Sequence, residues 1–504
     1  MQPRTKQLYT NYTTLLQKAA DINYASAVLG WDQEIYMPVK GAEYRGRQLA
    51  TLASQAHELL TSDSYGTLLA SLSAADGLTV REHCNVAKSL EDYAKAKMLP
   101  SAFVEKLSKQ TSLTFNAWVE ARKMNDFSLF AGPLTNMIAL KKQQAALYGY
   151  VEQPYDGLLD DYEKGATAKM LDHVFAGIKE ELPPILGKIK SAQQVGNDCF
   201  KQHFPKQQQW DFSIEVLTAM GFDFEAGRQD YSEHPFTTSF APTDVRITTR
   251  VDEGNFASML WSCIHEGGHG LYEQGLPEDQ YGLPLGAATS LGIHESQSRL
   301  WENNVGRSVG FWSFFYPRLQ KRFPEPLRNV TAQDFINAAN KVEPSLIRTE
   351  ADEVTYHFHV LIRYEIEKEL IAGQLSTSDL PARWNELYAY YLGVTPKDDK
   401  TGVLQDVHWS HGMFGYFPTY TLGSFYAAQF FQQVQKDIPD LDNKIAAGDL
   451  SPLLEWLRSS VHQYGRQYNS EELCNRITGQ GLDPRFFIAY AKQKYGQVYG
   501  ISEW

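Results

Sequence analysis

The sequence is short of cysteine and of basic charge. Four cysteines, Cys84, Cys199, Cys263 and Cys474, are scattered through 504 residues. None lies at metal-ligand spacing from another, and four in a chain this long make no disulfide framework. A reducing compartment follows, so a cytoplasmic location is expected. Lysine and arginine number 47 against 60 acidic residues, a net charge of −13. That balance lacks the basic footprint of nucleic-acid binders and argues against such partners. No apolar run approaches the roughly 18 residues of a membrane span, so no membrane partner is expected. The opening residues, MQPRTKQLYTNYTT, lack the apolar stretch of a secretion signal. Internal repeats, low-complexity tracts and Gly/Ser linkers are missing too. With nothing to mark a boundary, residues 1–504 are expected to form a single unit.

What the sequence has in plenty is helical periodicity. Apolar positions at Tyr12, Leu15, Leu16, Ala19, Ile22, Ala25, Val28 and Leu29 recur in steps of three and four, one face of a long amphipathic helix. The pattern returns at Val354, Phe358, Leu361, Ile362, Ile366, Leu370 and Ile371, with Gly373 as a stop. Shorter stripes cover 380–392, 422–431 and 453–461. Only one region reads as strand. Thr237–Ala241 and Val245–Val251 are rich in Thr, Val, Ile and Phe, with Pro242-Thr243-Asp244 between them as a turn. The expected fold is therefore mainly α, with a small antiparallel sheet near the middle.

The strongest local signal is His265-Glu266-Gly267-Gly268-His269, an H-E-x-x-H. On a helix, positions i and i+4 share a face, so both imidazoles can reach one ion. Zinc favours nitrogen ligands of this kind and, in catalytic sites, keeps one position for water. Glu266 lies where it can take that water's proton and return it to a leaving amine. Chance would produce about 0.02 such matches in this chain, so the pattern is specific. Two adjacent glycines weaken a helix by ~1 kcal/mol each. They imply close packing against a strand, a substrate backbone or another helix. A third ligand must come from elsewhere. Tyr272 and Gly275 exclude a third histidine of the extended H-E-x-x-H-x-x-G-x-x-H kind. Downstream, Glu295 would complete a His₂Glu set, and His294 is its rival.

Several further motifs occur with this one: His234-Pro235-Phe236, Asp244-Val245-Arg246-Ile247-Thr248, His294-Glu295-Ser296, Ile347-Arg348-Thr349-Glu350-Ala351-Asp352, and Gly402-Val403-Leu404-Gln405-Asp406-Val407-His408-Trp409. In this order, and over nearly the whole chain, the sequence resembles the thermostable (Taq-type) carboxypeptidase 1 family of metallopeptidases. The resemblance implies a helical fold with a deep substrate groove and a small sheet beside the H-E-x-x-H helix, similar to neurolysin and angiotensin-converting enzyme. It implies removal of single residues from peptide C-termini with broad specificity, one Zn²⁺ per chain (Co²⁺ or Mn²⁺ as substitutes), and a homodimer. Carried over by position, the metal ligands are His265, His269 and Glu295, with Glu266 as acid/base.

The remaining roles combine chemistry with that resemblance. A terminal carboxylate is best recognised by a guanidinium, whose planar fork matches two oxygens. Arg348 is the first candidate and Arg246 the second. The bland reading of Arg348 is an ion pair with Glu350 or Asp352, and that of Arg246 an exposed strand position. The oxyanion formed on attack needs hydrogen-bond donors. By analogy with related metallopeptidases these are His408 and Tyr420, although most of the 28 tyrosines must be ordinary packing. Gln405 and Asp406 are expected to orient His408, the alternative for Asp406 being a helix cap. His234 is read as substrate-binding, against the commoner structural role of a histidine beside proline. Two other functions compete: an internally cutting oligopeptidase, which needs no carboxylate clamp, and a non-catalytic metal-dependent binding protein, which needs no Glu266.

Overall fold

The computed structural model describes residues 2–504. Each of two compact units is assembled from separated stretches of chain. One holds the chain up to Lys97, Asn197–Ala339 and Phe430–Gly481; the other holds Met98–Gly196, Asn340–Gln429 and Leu482–Trp504. Both are built mainly of helices. Among the described residues no helix is long and apolar enough to cross a membrane.

The first unit opens with the helix Pro3–Ile35. Its stripe buries Tyr12 and Leu16 against Tyr65, Leu69, Leu72 and Val86, and the Tyr12 hydroxyl is satisfied by Ser89 Oγ at 2.9 Å. The unit also contains the sheet: β1 (Gly227–Tyr231), β2 (Thr237–Ala241) and β3 (Asp244–Thr249). The expected hairpin is there, β2 antiparallel to β3. The sheet as a whole is mixed rather than antiparallel, because β1 pairs in parallel with β3 in the order β1-β3-β2. The hairpin folds back so that β3 fills the space beside β1, and β3 must then run the same way as β1.

Strand alternation gives the sheet two different faces. Val245, Ile247 and Thr249 are buried toward the helix Phe256–Gln274, where Thr249 Oγ1 meets Ser262 Oγ at 2.9 Å. Arg246 lies on the other face. It is the cross-strand neighbour of Arg228, and both guanidiniums stack on the Trp31 ring, at 4.4 and 5.5 Å.

The adjacent glycines of the helix Phe256–Gln274 are explained by helix packing. A Cβ on Gly268 would lie 2.7 Å from Ser298 Cα and 2.8 Å from the Gln297 carbonyl. A Cβ on Gly267 would meet Leu217 at 2.5 Å. Of the three partners the sequence allows, another helix is the right one. The neighbour at Gly268 is Leu291–Arg299, capped by Ser290 Oγ, which accepts from Ile293 N at 3.0 Å. It runs on into a π-helical turn, Leu300–Val305.

In the second unit the periodic stretch beginning at Val354 forms the helix Tyr356–Ala372, closed by Gly373 at φ 79°. The stripe at 380–392 forms Leu380–Leu392, and that at 422–431 lies within Pro418–Asp437, a helix that belongs to this unit up to Gln429 and to the first unit from Phe430. The segment 408–420 is a short 3₁₀ turn, His408–His411, and a loop, after which Tyr420 falls in the first turn of a helix.

Candidate functional site

In the first unit three donors converge. His265, His269 and Glu295 each offer an atom, all within 4.8 Å of one another. Glu295 Oε2 lies 3.7 Å from His265 Nε2 and 3.5 Å from His269 Nε2. Ligands at ~2.0–2.1 Å around a tetrahedral ion are about 3.3 Å apart, so both distances from Glu295 are close to those a divalent ion requires. The close backbone contact at Gly268 fixes this spacing, because it sets the separation of the two helices that carry the ligands.

The far nitrogen of each imidazole is also engaged. His265 Nδ1 is 2.9 Å from Glu302 Oε2. His269 Nδ1 is 2.6 Å from His294 Nδ1, and His294 Nε2 is 2.8 Å from Glu273 Oε1. With His269 Nε2 free to bind an ion, its Nδ1–H donates to His294, whose Nε2–H donates to Glu273. Such contacts fix tautomer and ring orientation. His294, the rival ligand in the sequence, therefore backs His269. Arg299 donates from Nε to Glu295 Oε1 at 2.7 Å and from Nη1 to Glu302 Oε2 at 3.2 Å, and Arg307 donates to Glu302 Oε1 at 2.9 Å. Glu302 went unnoticed in the sequence. Its signal was the stripe Glu295, Arg299, Glu302 at i, i+4 and i+7.

These surroundings set the proton affinities. Burial and the neighbouring His294 push His269 down to about 3, so it is a neutral donor. Burial alone would raise Glu295, but Arg299 and the two histidines hold its carboxyl far below the usual range. Glu266 goes the other way. It is buried, and desolvation raises its carboxyl despite His265 and a 2.6 Å hydrogen bond from Thr237 Oγ1 to its Oε2. Thr237 sits on β2, so the sheet orients Glu266 directly.

In the second unit Arg348, His408 and Tyr420 are brought into one cluster. Arg348 is buried, and both its Nε and Nη2 donate to Asp406 Oδ1, at 3.0 and 2.9 Å. Its Nη1 donates to the Tyr356 hydroxyl at 3.0 Å. The ion pair is thus with Asp406, neither with Glu350 nor with Asp352. Asp352 instead accepts from the backbone N–H groups of Glu343, Val354 and Thr355. A second buried guanidinium, Arg363, donates to Asp406 Oδ2 at 2.7 Å and to Gln405 Oε1 at 2.8 Å. Two cations therefore share one carboxylate. His408 Nε2 is 3.1 Å from the Tyr420 hydroxyl. Asp406 lies 3.9 Å from His408 Nδ1, too far to hydrogen-bond, and Gln405 contacts the arginines rather than the histidine. Burial pushes His408 down to about 3, so the ring is neutral.

The two other predicted residues lie apart from these clusters. Arg246 is bidentate to Asp244 at 3.0 Å on the sheet face away from the His265 helix. His234 is exposed, and its carbonyl accepts from Ser232 Oγ at 2.7 Å.

With this geometry in view, the likeness to known proteins is specific. The model of the carboxypeptidase Taq (M32) metallopeptidase family matches residues 11–495. Thermostable carboxypeptidase 1 of Thermus thermophilus is 42% identical over 98% of this chain and 99% of its own. A solved structure of a protein called CHT is 55% identical, with a TM-score of 0.96 over 97% of this chain and 99% of its own. The crystal structure of an M32 carboxypeptidase from Deinococcus radiodurans is 38% identical, with a TM-score of 0.96 over 98% of this chain and 100% of its own. The chain belongs to the carboxypeptidase Taq (M32) metallopeptidase family and is a metal-dependent carboxypeptidase, a hydrolase of peptide bonds.

Proposed function

We propose that the protein releases single amino acids from the C-termini of peptides with broad specificity, using Glu266 as general acid and base. The observation that carries this reading is the convergence of His265, His269 and Glu295 beside a buried Glu266 of raised proton affinity. These three residues would hold one Zn²⁺, or Co²⁺ or Mn²⁺ in its place, which when bound supplies Lewis acidity and a water of lowered pKa. Glu266 takes the proton from the attacking water and hands it to the leaving amine. A carboxyl that burial raises above its ordinary range suits both steps better than an exposed one. Thr237 holds one Glu266 oxygen and leaves the other for the proton.

Arg348 receives the terminal carboxylate of the substrate. Its pairing with Asp406 does not oppose this role, because Arg348 and Arg363 together carry one more charge than Asp406 neutralises. A buried surplus of positive charge favours an anion. His408 and Tyr420 donate to the oxyanion. We assign Arg246 and His234 lesser parts in holding substrate. The reading includes a deep groove of the neurolysin kind, a homodimer and a cytoplasmic setting.

The test uses one N-blocked peptide of mixed sequence and its C-amidated copy, with metal-loaded enzyme and products read by mass spectrometry. A ladder losing one C-terminal residue at a time, absent from the amide, is expected. Internal cuts in both peptides would make the protein an oligopeptidase and leave Arg348 without its role.

A further inference from the structure

The helix Tyr356–Ala372 is buried on nearly every side, yet one of its faces is polar: Tyr356, His359, Arg363 and Glu367, in steps of three and four. The first part of that stripe serves Arg348 and Asp406. Glu367, fully buried, faces a different part of the chain. Its Oε1 accepts from Trp409 Nε1 at 2.7 Å. Its Oε2 accepts from the Tyr155 hydroxyl at 2.6 Å and from Gly415 N at 2.8 Å. Trp409 directly follows His408, and Gly415 directly precedes Tyr416 and Phe417. One carboxylate thus ties down both ends of the loop that leads from His408 to the Tyr420 helix.

The loop has little freedom to make that contact any other way. Gly415 has φ +94°, and a Cβ there would lie 2.9 Å from the Leu158 carbonyl. Leu158 and Tyr155 belong to one short helix, Pro154–Leu159, which therefore contacts both the loop and the carboxylate. Burial pushes the Glu367 carboxyl up to about 7, and the bonds from Tyr155, Gly415 and Trp409, with Lys141 nearby, work against that rise and favour the charged form. A buried carboxylate is costly where an apolar residue of similar size would serve for packing alone. Three converging donors, two of them from the loop, are what an ionised carboxylate can hold and an amide cannot.

We propose that Glu367 is a positioning residue for peptide hydrolysis, an anionic anchor that holds His408 and Tyr420 in register by fixing the 409–415 loop. The proposal rests on the reading of His408 and Tyr420 as oxyanion donors.

The experiment compares Glu367→Gln, Tyr155→Phe and Tyr420→Phe in the full chain. Steady-state kinetics are measured alongside peptide-level hydrogen exchange, metal content and thermal unfolding. For Glu367→Gln, kcat should fall about 10- to 100-fold with KM nearly unchanged, since misplacement of the donors affects the transition state more than binding. Exchange should rise in 408–417 and stay near wild type within 356–372. Tyr155→Phe, which removes one donor and keeps the carboxylate, should show the same pattern to a smaller degree and covers the case in which Glu367→Gln does not fold. Unchanged kcat in both variants overturns the proposal. So does exchange that rises equally along 356–372, which would make Glu367 a residue of general stability. If Tyr420→Phe keeps full kcat, the oxyanion reading fails, whereas exchange in 408–417 still judges the anchor by itself.

Discussion

The metal donors and the Arg348 cluster are both buried polar networks, but they are out of balance in opposite senses. Around His265 and His269, four carboxyls (Glu266, Glu273, Glu295 and Glu302) face two guanidiniums, Arg299 and Arg307. Around Asp406, two guanidiniums face one carboxylate. Buried charge left uncompensated costs several kcal/mol per ion, so each network favours a ligand of opposite sign. In the proposed reading the first takes a divalent cation and the second a single carboxylate. Those are the two charged species a metallocarboxypeptidase must take up.

The contrast can be broken in order of effect. Glu266→Gln removes one acid and leaves the donor set intact. It should lower kcat by about 10³-fold or more, at the upper part of the range for general acid–base catalysis, with metal content by mass spectrometry unchanged. If metal is lost as well, Glu266 belongs to the binding network and the two roles are not separable.

Asp406→Asn enlarges the positive surplus. Burial would raise the Asp406 carboxyl, but Arg348 and Arg363 more than reverse that and hold it far below the usual range. A carboxyl depressed on folding contributes stability that is complete above its unfolded value and is lost as pH falls through the folded one. The variant should therefore be less stable by about 3–5 kcal/mol in denaturant titrations at neutral pH. The gap to wild type should begin to close only below about pH 4. A gap that is already closing at pH 6 would assign the effect to other groups.

Arg348→Met removes the surplus. It should raise KM about 100-fold for a peptide with a free C-terminus, the weight of a charge-assisted bidentate contact, without affecting binding of the amidated copy. Equal weakening of both peptides would point to lost packing around Asp406.

The two networks also differed in how legible they were. His265 and His269 are read from a spacing of four on one helix, and Glu295 from the need for a third ligand, because the chemistry fixes both residue type and local geometry. Arg348 was singled out as a candidate carboxylate clamp, but its ion-pair partner lies 58 residues away at Asp406, and proximity in sequence favoured Glu350 and Asp352 instead. Periodicity gave the bounds of the helix Tyr356–Ala372 within two residues. It said nothing of the buried polar stripe, since an apolar pattern registers only the face it describes. β1, with the sequence GRQDY, carries no β-branched residue and no alternation, and only the parallel partner β3 makes it a strand. The glycines of the H-E-x-x-H helix signalled close approach without naming what approached.

The interleaving of the two units bears on how the chain is made. The path passes from one unit to the other five times, and each unit takes its last segment from near the C-terminus. The second unit is incomplete until the helix Arg485–Tyr499 is in place, where the Tyr499 hydroxyl accepts from Val342 N at 2.7 Å across 157 residues. Domains that are continuous in sequence can fold as they leave the ribosome. Here neither unit can finish until almost the whole polypeptide has been synthesised. The candidate metal ligands at 265–295 are translated long before the segment 430–481 that completes their unit, so the nascent chain carries histidines and carboxylates able to bind an ion before the structure that arranges them exists.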